Sequence, residues 1–264
     1  MQTPIITLTT DFGLRDPYVA EMKAVILNIR SDTRIVDISH GIERFNIVMG
    51  AYMLAAACIY FPKNTVHVAV VDPGVGTERK AILIQTEKDY FIGPDNEVLA
   101  LASRSQNIKK IYSIENPRFM LQEVSSTFHG RDIFAPAAAH LADGTLPSDF
   151  DPEKSEIVTP SFAQVLHTDD ALTGEVIHID RFGNVVTNIR RDYLEYLGIK
   201  EVISLGLEST NLELKLCRAY EEVEKRKPLA IVGSHSFLEI SINQGNAAEV
   251  LKAEVGDRIK VYLS

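Results

Sequence analysis

The sequence contains no apolar run long enough to span a bilayer, and Met1-Gln2-Thr3-Pro4 lacks the basic segment and apolar stretch of a secretory leader. A cytoplasmic protein without membrane partners is expected. Cysteine is scarce: Cys58 and Cys217 lie far apart in apolar contexts and form no Cys-x-x-Cys pair. This argues against a disulfide framework and a thiolate zinc site and leaves two buried thiols. Positive charge is in deficit, with 27 basic against 36 acidic residues and a formal net charge of −9. Broad nucleic-acid binding needs a basic face to displace counterions, so that class is set aside. The seven histidines show no metal-triad spacing, and no metal is expected. There is no internal repeat and no low-complexity segment.

What is present is a globular balance. Of 264 residues, 45% are hydrophobic and 24% charged, enough to bury a core in one large domain or two ordinary ones. The first half alternates strand and helix patterns: a β-branched strand at 5–9, a helix entered at Asp16-Pro17, a strand at 35–38 and a helix over 46–60. Asp16 is expected as N-cap with Pro17 at the first helical position. Val66 to Val71 is almost continuously apolar, the pattern of a parallel strand covered on both faces. Paired strands follow at 81–85 and 90–92, then a strand at 108–113. A helix over 131–142 has Pro136 in its early turns and a stop at Asp143-Gly144. The expected fold class is α/β: an N-terminal α/β domain over 1–147, with a mainly parallel sheet between helices. Residues 148–170, with spread prolines and acidic groups, read as a linker. Seven short strand-like runs within 171–264 read as a C-terminal β-barrel domain.

Ligands of open α/β sheets bind beyond the carboxyl ends of the strands, where Asp11 and Asp72 fall. Asp11 is either a ligand for a ribose diol or the head of an Asx-turn. Asp72-Pro73-Gly74-Val75-Gly76-Thr77 is glycine-rich but lacks the Lys-Ser or Lys-Thr of a phosphate loop. Arg79, seven residues beyond Asp72, is placed to pair with it, for catalysis or as a structural ion pair. Thr127-Phe128-His129-Gly130-Arg131-Asp132 opens a helix, where N–H groups face a ligand; a capping histidine is the plainer reading of His129.

Together these blocks resemble the S-adenosyl-L-methionine (SAM) hydroxide adenosyltransferase family, relatives of the SAM-dependent fluorinating and chlorinating enzymes. The resemblance rests on Thr9–Gly13 with Asp16, Val71–Arg79, Gly93–Asn96, Thr127–Asp132, Ile179–Asn184 and Asn243–Ala248, in that order along the chain. It implies hydrolysis of SAM to adenosine and methionine, with SAM as substrate and no cofactor. It also implies a homotrimer whose sites are shared between one subunit's N-terminal domain and a neighbour's barrel. By family pattern the catalytic set is Asp72, Arg79 and His129. Asp11 takes the ribose hydroxyls, Asp16 and Asp180 the methionine end, Phe182 the adenine face and Asn184 its polar edge. Ser234, Glu239, Asn246 and Ala247 line the site, and His235 stands where halogenating relatives carry arginine.

Three other readings are weighed. Halogenating relatives carry tyrosine at the Asp72 position, Tyr-Ser at the His129-Gly130 position, and an inserted loop that is missing between Thr86 and Tyr90. A methyltransferase would carry a glycine-rich loop after the first strand, where this chain has Thr10-Asp11-Phe12-Gly13-Leu14. A non-catalytic SAM or adenosine sensor would need the nucleoside contacts but no water-activating set.

Overall fold

The computed structural model describes residues 3–199, 201–207 and 210–262. It divides into two compact units, Met1–Thr159 and Pro160–Ser264.

In the first unit β1 (Ile5–Thr10) leads to α1 (Tyr18–Ile29), β2 (Arg34–Ser39), α2 (Ile47–Cys58) and β3 (Val66–Val70). The hairpin strands β4 (Ala81–Thr86) and β5 (Tyr90–Pro94) follow, then α3 (Ala100–Ser105), β6 (Ile108–Ser113), a π-helical turn Gly130–Phe134, α4 (Ala135–Ala142) and the two-residue β7 (Glu153–Lys154). The sheet order is β2-β1-β3-β5-β4-β6-β7. The first four strands pair in parallel, and β4, β6 and β7 extend the sheet antiparallel. Every residue of β3 is buried, His67 included, as its almost continuous apolar run requires of a strand covered on both faces. Ile6 and Leu8 pack with Met22 and Ile26 of α1 and the alanines of α4; α2 and α3 pack on each other.

Two local readings change. Helix α1 begins at Tyr18 with Pro17 in the N-cap position, and no side chain caps it. The expected cap by Asp16 is therefore not made: the carboxylate is exposed and lines a cleft. Before Pro136 the helix opens into the π-helical turn, so the proline, lacking an N–H, falls in the first turn of α4, where none is needed. Within 148–170, Phe150 is fully buried, β7 pairs with β6, and the division between units falls at Thr159–Pro160.

The second unit holds β8 (Leu166–His167), β9 (Ala171–Ile179), β10 (Val185–Arg190), α5 (Arg191–Tyr196), β11 (Val202–Leu207), β12 (Thr210–Cys217), β13 (Pro228–Val232), β14 (Phe237–Ile242), α6 (Ala247–Leu251) and β15 (Arg258–Tyr262). The ladder β10-β14-β13-β12-β11-β15-β9 closes through β10–β9 into a seven-stranded barrel, with β8 on β9 outside the ring. Its interior is filled by alternate apolar residues such as Leu172, Val185, Leu205, Leu238 and Val261. Both cysteines are free and buried.

Candidate active site

Strands β1 and β3 are neighbours, and their register pairs Thr10 with Val70. The chain runs from β1 to β2 on one side and then crosses to β3 on the other, which makes the β1/β3 boundary a topological switch point. Asp11 and Asp72 emerge there side by side. A cleft of about 630 Å³ opens at this point, a size usual for small-molecule sites. Asp11, Asp16, Asp72 and His129 all line it.

Asp72 and Arg79 form a two-point ion pair. Arg79 Nε donates to Asp72 Oδ1 at 3.0 Å, and Arg79 Nη2 donates to Asp72 Oδ2. The same Nη2 lies 2.8 Å from His129 Nδ1. A guanidinium only donates, so Nδ1 accepts and the ring proton of the neutral imidazole sits on Nε2. Burial first, and then the Arg79 charge, push the His129 imidazole below the usual histidine range, against the pull of Asp72 and Asp132. The Arg79 side chain is 10% exposed, that of Asp72 6%, and the guanidinium packs over the Phe134 ring at 5.3 Å. Arg79 and Asp72 are thus largely shielded from solvent, while His129 is half-buried at the cleft.

Two backbone devices hold it. Gly76 has φ of +78° and passes so close to the 125–129 loop that a Cβ would lie 2.3 Å from the Ser126 carbonyl oxygen. Asp132, fully buried, accepts the Ser125 N–H at 2.8 Å and Arg131 Nε at 2.6 Å, which pins the loop bearing His129. The sequence reading quoted Asp132 without assigning it a role. Arg131 of the same block also lines the cleft, as do Tyr18, Glu21, Arg44 and Phe45, to which the sequence assigns no role. Their only signal was proximity to motif residues. Asp11, half-buried and lining the cleft, accepts the Phe45 N–H on Oδ2 at 2.9 Å.

In the second unit another group of expected residues comes together. Asp180 accepts the Phe182 and Asn184 N–H groups on Oδ1 (2.8 and 2.9 Å), and Asn184 Nδ2 donates to its Oδ2 at 2.8 Å. Asn184 therefore keeps its carbonyl oxygen as an acceptor. Phe182 stands at the turn tip, 78% exposed. Gly183 (φ +83°) lies against Asn246, which caps α6 by accepting the Glu249 N–H, and Ala248 N–H donates to the Gly183 carbonyl. Ala247 is buried at the start of α6. Glu239 is buried nearby, and burial, with Asp180 adding to it, pushes its carboxyl up to about 7. Tyr220, absent from the sequence reading, feels both Glu239 and Asp180. Ser234 and His235 sit in the turn between β13 and β14.

A polar cleft at the switch point of an α/β sheet, in a chain that also carries a closed β-barrel, defines a protein built to hold a small polar molecule. The chain belongs to the SAM hydroxide adenosyltransferase family: the family's N-terminal domain matches residues 6–151 and its C-terminal domain residues 174–260. It is 40% identical to the (R)-S-adenosyl-L-methionine hydrolase of Methanocaldococcus jannaschii, over 97% of this chain and 95% of that protein. A more distant relative is the fluorinase of Actinopolyspora mzabensis, 28% identical over 99% and 98% of the two chains. Among solved structures, an uncharacterized conserved protein from Thermotoga maritima superposes with a TM-score of 0.86 at 36% identity, covering 97% of this chain and 99% of that one.

Proposed function

We propose that this protein hydrolyses SAM to adenosine and L-methionine by in-line attack of water on the ribose C5′. The observation that carries the reading is the Asp72–Arg79–His129 trio on the wall of a cleft that also bears Asp11 and Asp16. The sulfonium leaves as a neutral thioether, so the leaving group needs no acid. Water is the poor partner, and its orientation is what the site must supply. The water hydrogen-bonds to Asp72 and to the Nε2–H side of His129. With Nδ1 occupied by Arg79 and Nε2 protonated, the ring has no vacant nitrogen, so the proton passes to Asp72. A weak base suffices, because the oxygen becomes strongly acidic as the C–O bond forms. Arg79 fixes the carboxylate through two bonds.

Asp11 takes the ribose diol and Asp16 the methionine ammonium. Asp180, Phe182, Asn184, Ser234, Glu239, Asn246 and Ala247 serve the adenine and methionine ends, in a homotrimer without cofactor or metal. Among the described residues no helix is long and apolar enough to cross a membrane, and we carry a cytoplasmic location as part of the proposal. The R configuration at sulfur, named for the archaeal relative, is carried likewise.

Halogenation is disfavoured by Asp72. A halide about 4 Å from an unscreened carboxylate is repelled by roughly 4 kcal/mol at an effective dielectric near 20, a penalty that Arg79 only partly offsets. Incubation with SAM in labelled water should place label in the adenosine 5′-hydroxyl. Accumulation of 5′-halo-adenosine with chloride or fluoride present would reverse the reading, and tight SAM binding without methionine release would replace it with a sensor. Light scattering tests the trimer.

A further inference from the structure

Behind the Asp11 turn lies a buried histidine that does not line the cleft. His40, 6% exposed, directly follows β2, and its Nδ1 is 2.8 Å from the hydroxyl of Thr10, the last residue of β1. The Phe12 N–H donates to the same hydroxyl at 3.3 Å. The hydroxyl and Nδ1 thus share one buried hydrogen bond, and the other ring nitrogen, Nε2, lies 3.2 Å from Asp37 Oδ1. That last approach is not aligned as a hydrogen bond. Asp37 is tied in turn to Lys23 Nζ at 2.6 Å, on the helix that follows Asp16. The backbone adds a second grip: the Gly13 N–H donates to the His40 carbonyl at 2.8 Å. Five residues on, the Phe45 N–H takes one oxygen of Asp11. Residues 40–45 thus clasp the Asp11 turn at Thr10, at Gly13 and at the carboxylate itself.

We propose that His40 is a positioning residue for ribose recognition, acting through Thr10 and Gly13 to set where the Asp11 carboxylate points. The inference rests on the reading of Asp11 as the ribose ligand. A carboxylate that accepts from two adjacent hydroxyls must be held within about 0.5 Å, and a strand-end aspartate has a free side-chain rotor unless its flanking peptides are fixed. The Thr10–His40 bond can do this because it is buried and water does not compete for it.

The test is calorimetry of adenosine binding, with steady-state hydrolysis of SAM and of its 2′-deoxy analogue, on His40→Ala, His40→Asn, Thr10→Val, Thr10→Ser and Asp11→Asn. His40→Ala and Thr10→Val should raise the adenosine Kd and the KM for SAM about 10- to 100-fold, with kcat changed less than about 3-fold. Thr10→Ser keeps the hydroxyl, and His40→Asn keeps a polar atom near the Nδ1 position; both should recover most of the affinity. The preference for SAM over the 2′-deoxy analogue should shrink in His40→Ala, and adding that change to Asp11→Asn should cost nothing further. Should His40→Ala melt, the Thr10→Val and Thr10→Ser pair decides the matter. Wild-type affinity in Thr10→Val, a fall in kcat at constant Kd, or additive losses with Asp11→Asn would overturn the inference. A wild-type protein that binds adenosine but releases no methionine would sink the hydrolase reading alone, because the Kd series still reads the role of His40.

Discussion

The two units hold their polar groups by different means. In the α/β unit, opposite charges face each other: Asp72 and Arg79 are locked in a two-point pair with His129 against it. In the barrel unit a carboxyl is buried: burial first, and then Asp180, push Glu239 up to about 7. A paired, stiff arrangement suits a group that must present one fixed geometry to a reacting water. A turn built on Asp180, beside a buried carboxyl whose proton is held more tightly than usual, supplies donors and acceptors for a ligand of mixed polarity. In the proposed function the reacting trio belongs to the first unit, which shares recognition with the second through Asp11 and Asp16.

That contrast predicts where variants act. The largest effects belong to Asp72→Ala, Arg79→Ala and His129→Ala, each expected to lower kcat about 10²- to 10⁴-fold in chromatographic assays of methionine release, with adenosine affinity kept. Arg79→Lys should recover little, since an ammonium cannot make the two parallel bonds. Next come two glycines that separate the units. Gly76→Ala forces a Cβ into the Ser126 carbonyl and should cut kcat by about tenfold through the His129 loop. Gly183→Ala, whose Cβ would lie 1.9 Å from Asn246 Oδ1, should raise KM instead. If both changed the same parameter, the division of labour would be wrong.

The pH profile divides the units again. His129 is needed neutral and sits below the usual range, so the acid limb of kcat/KM should have its midpoint under about 6.5. Glu239 has a raised folded-state pKa: the native state binds its proton more tightly than the unfolded chain does. Stability from this group is therefore present at low pH and lost as pH rises from about 4.5 toward about 7. Glu239→Gln should remove that loss and stabilise the protein at pH 8 by on the order of 2 kcal/mol, read as an upward shift in Tm. The smallest effect is Asn246→Ala, which deletes the cap of α6 and should cost about 1 kcal/mol.

Much of this was legible in the residues. The almost continuous apolar run of β3, the barrel strands bounded by turn residues, and the Asp72 to Arg79 spacing follow from local periodicity and reach. What escaped the sequence depends on packing between distant segments. Asp16 matched a helix start, yet nothing local told that Pro17 would take the cap position and leave the carboxylate in the cleft. Asp132 and Ser125 lie seven residues apart, and only the folded loop shows that one holds the other. Glu239 sits in an apolar strand like a residue facing solvent, and its burial comes from the barrel around it. The resemblance assigned roles to Asp180 and Asn184, but the bond between them appears only in the turn.

The barrel's hydrogen-bond ladder runs full circle, from β10 round to β9 and back. A sheet joined end to end offers no open ring strand for another chain to zip onto, apart from the short flap β8 laid on β9. For the homotrimer proposed above, this leaves side chains and loop tips of the barrel as the contact surfaces, so single surface substitutions should tune self-association without unravelling any strand.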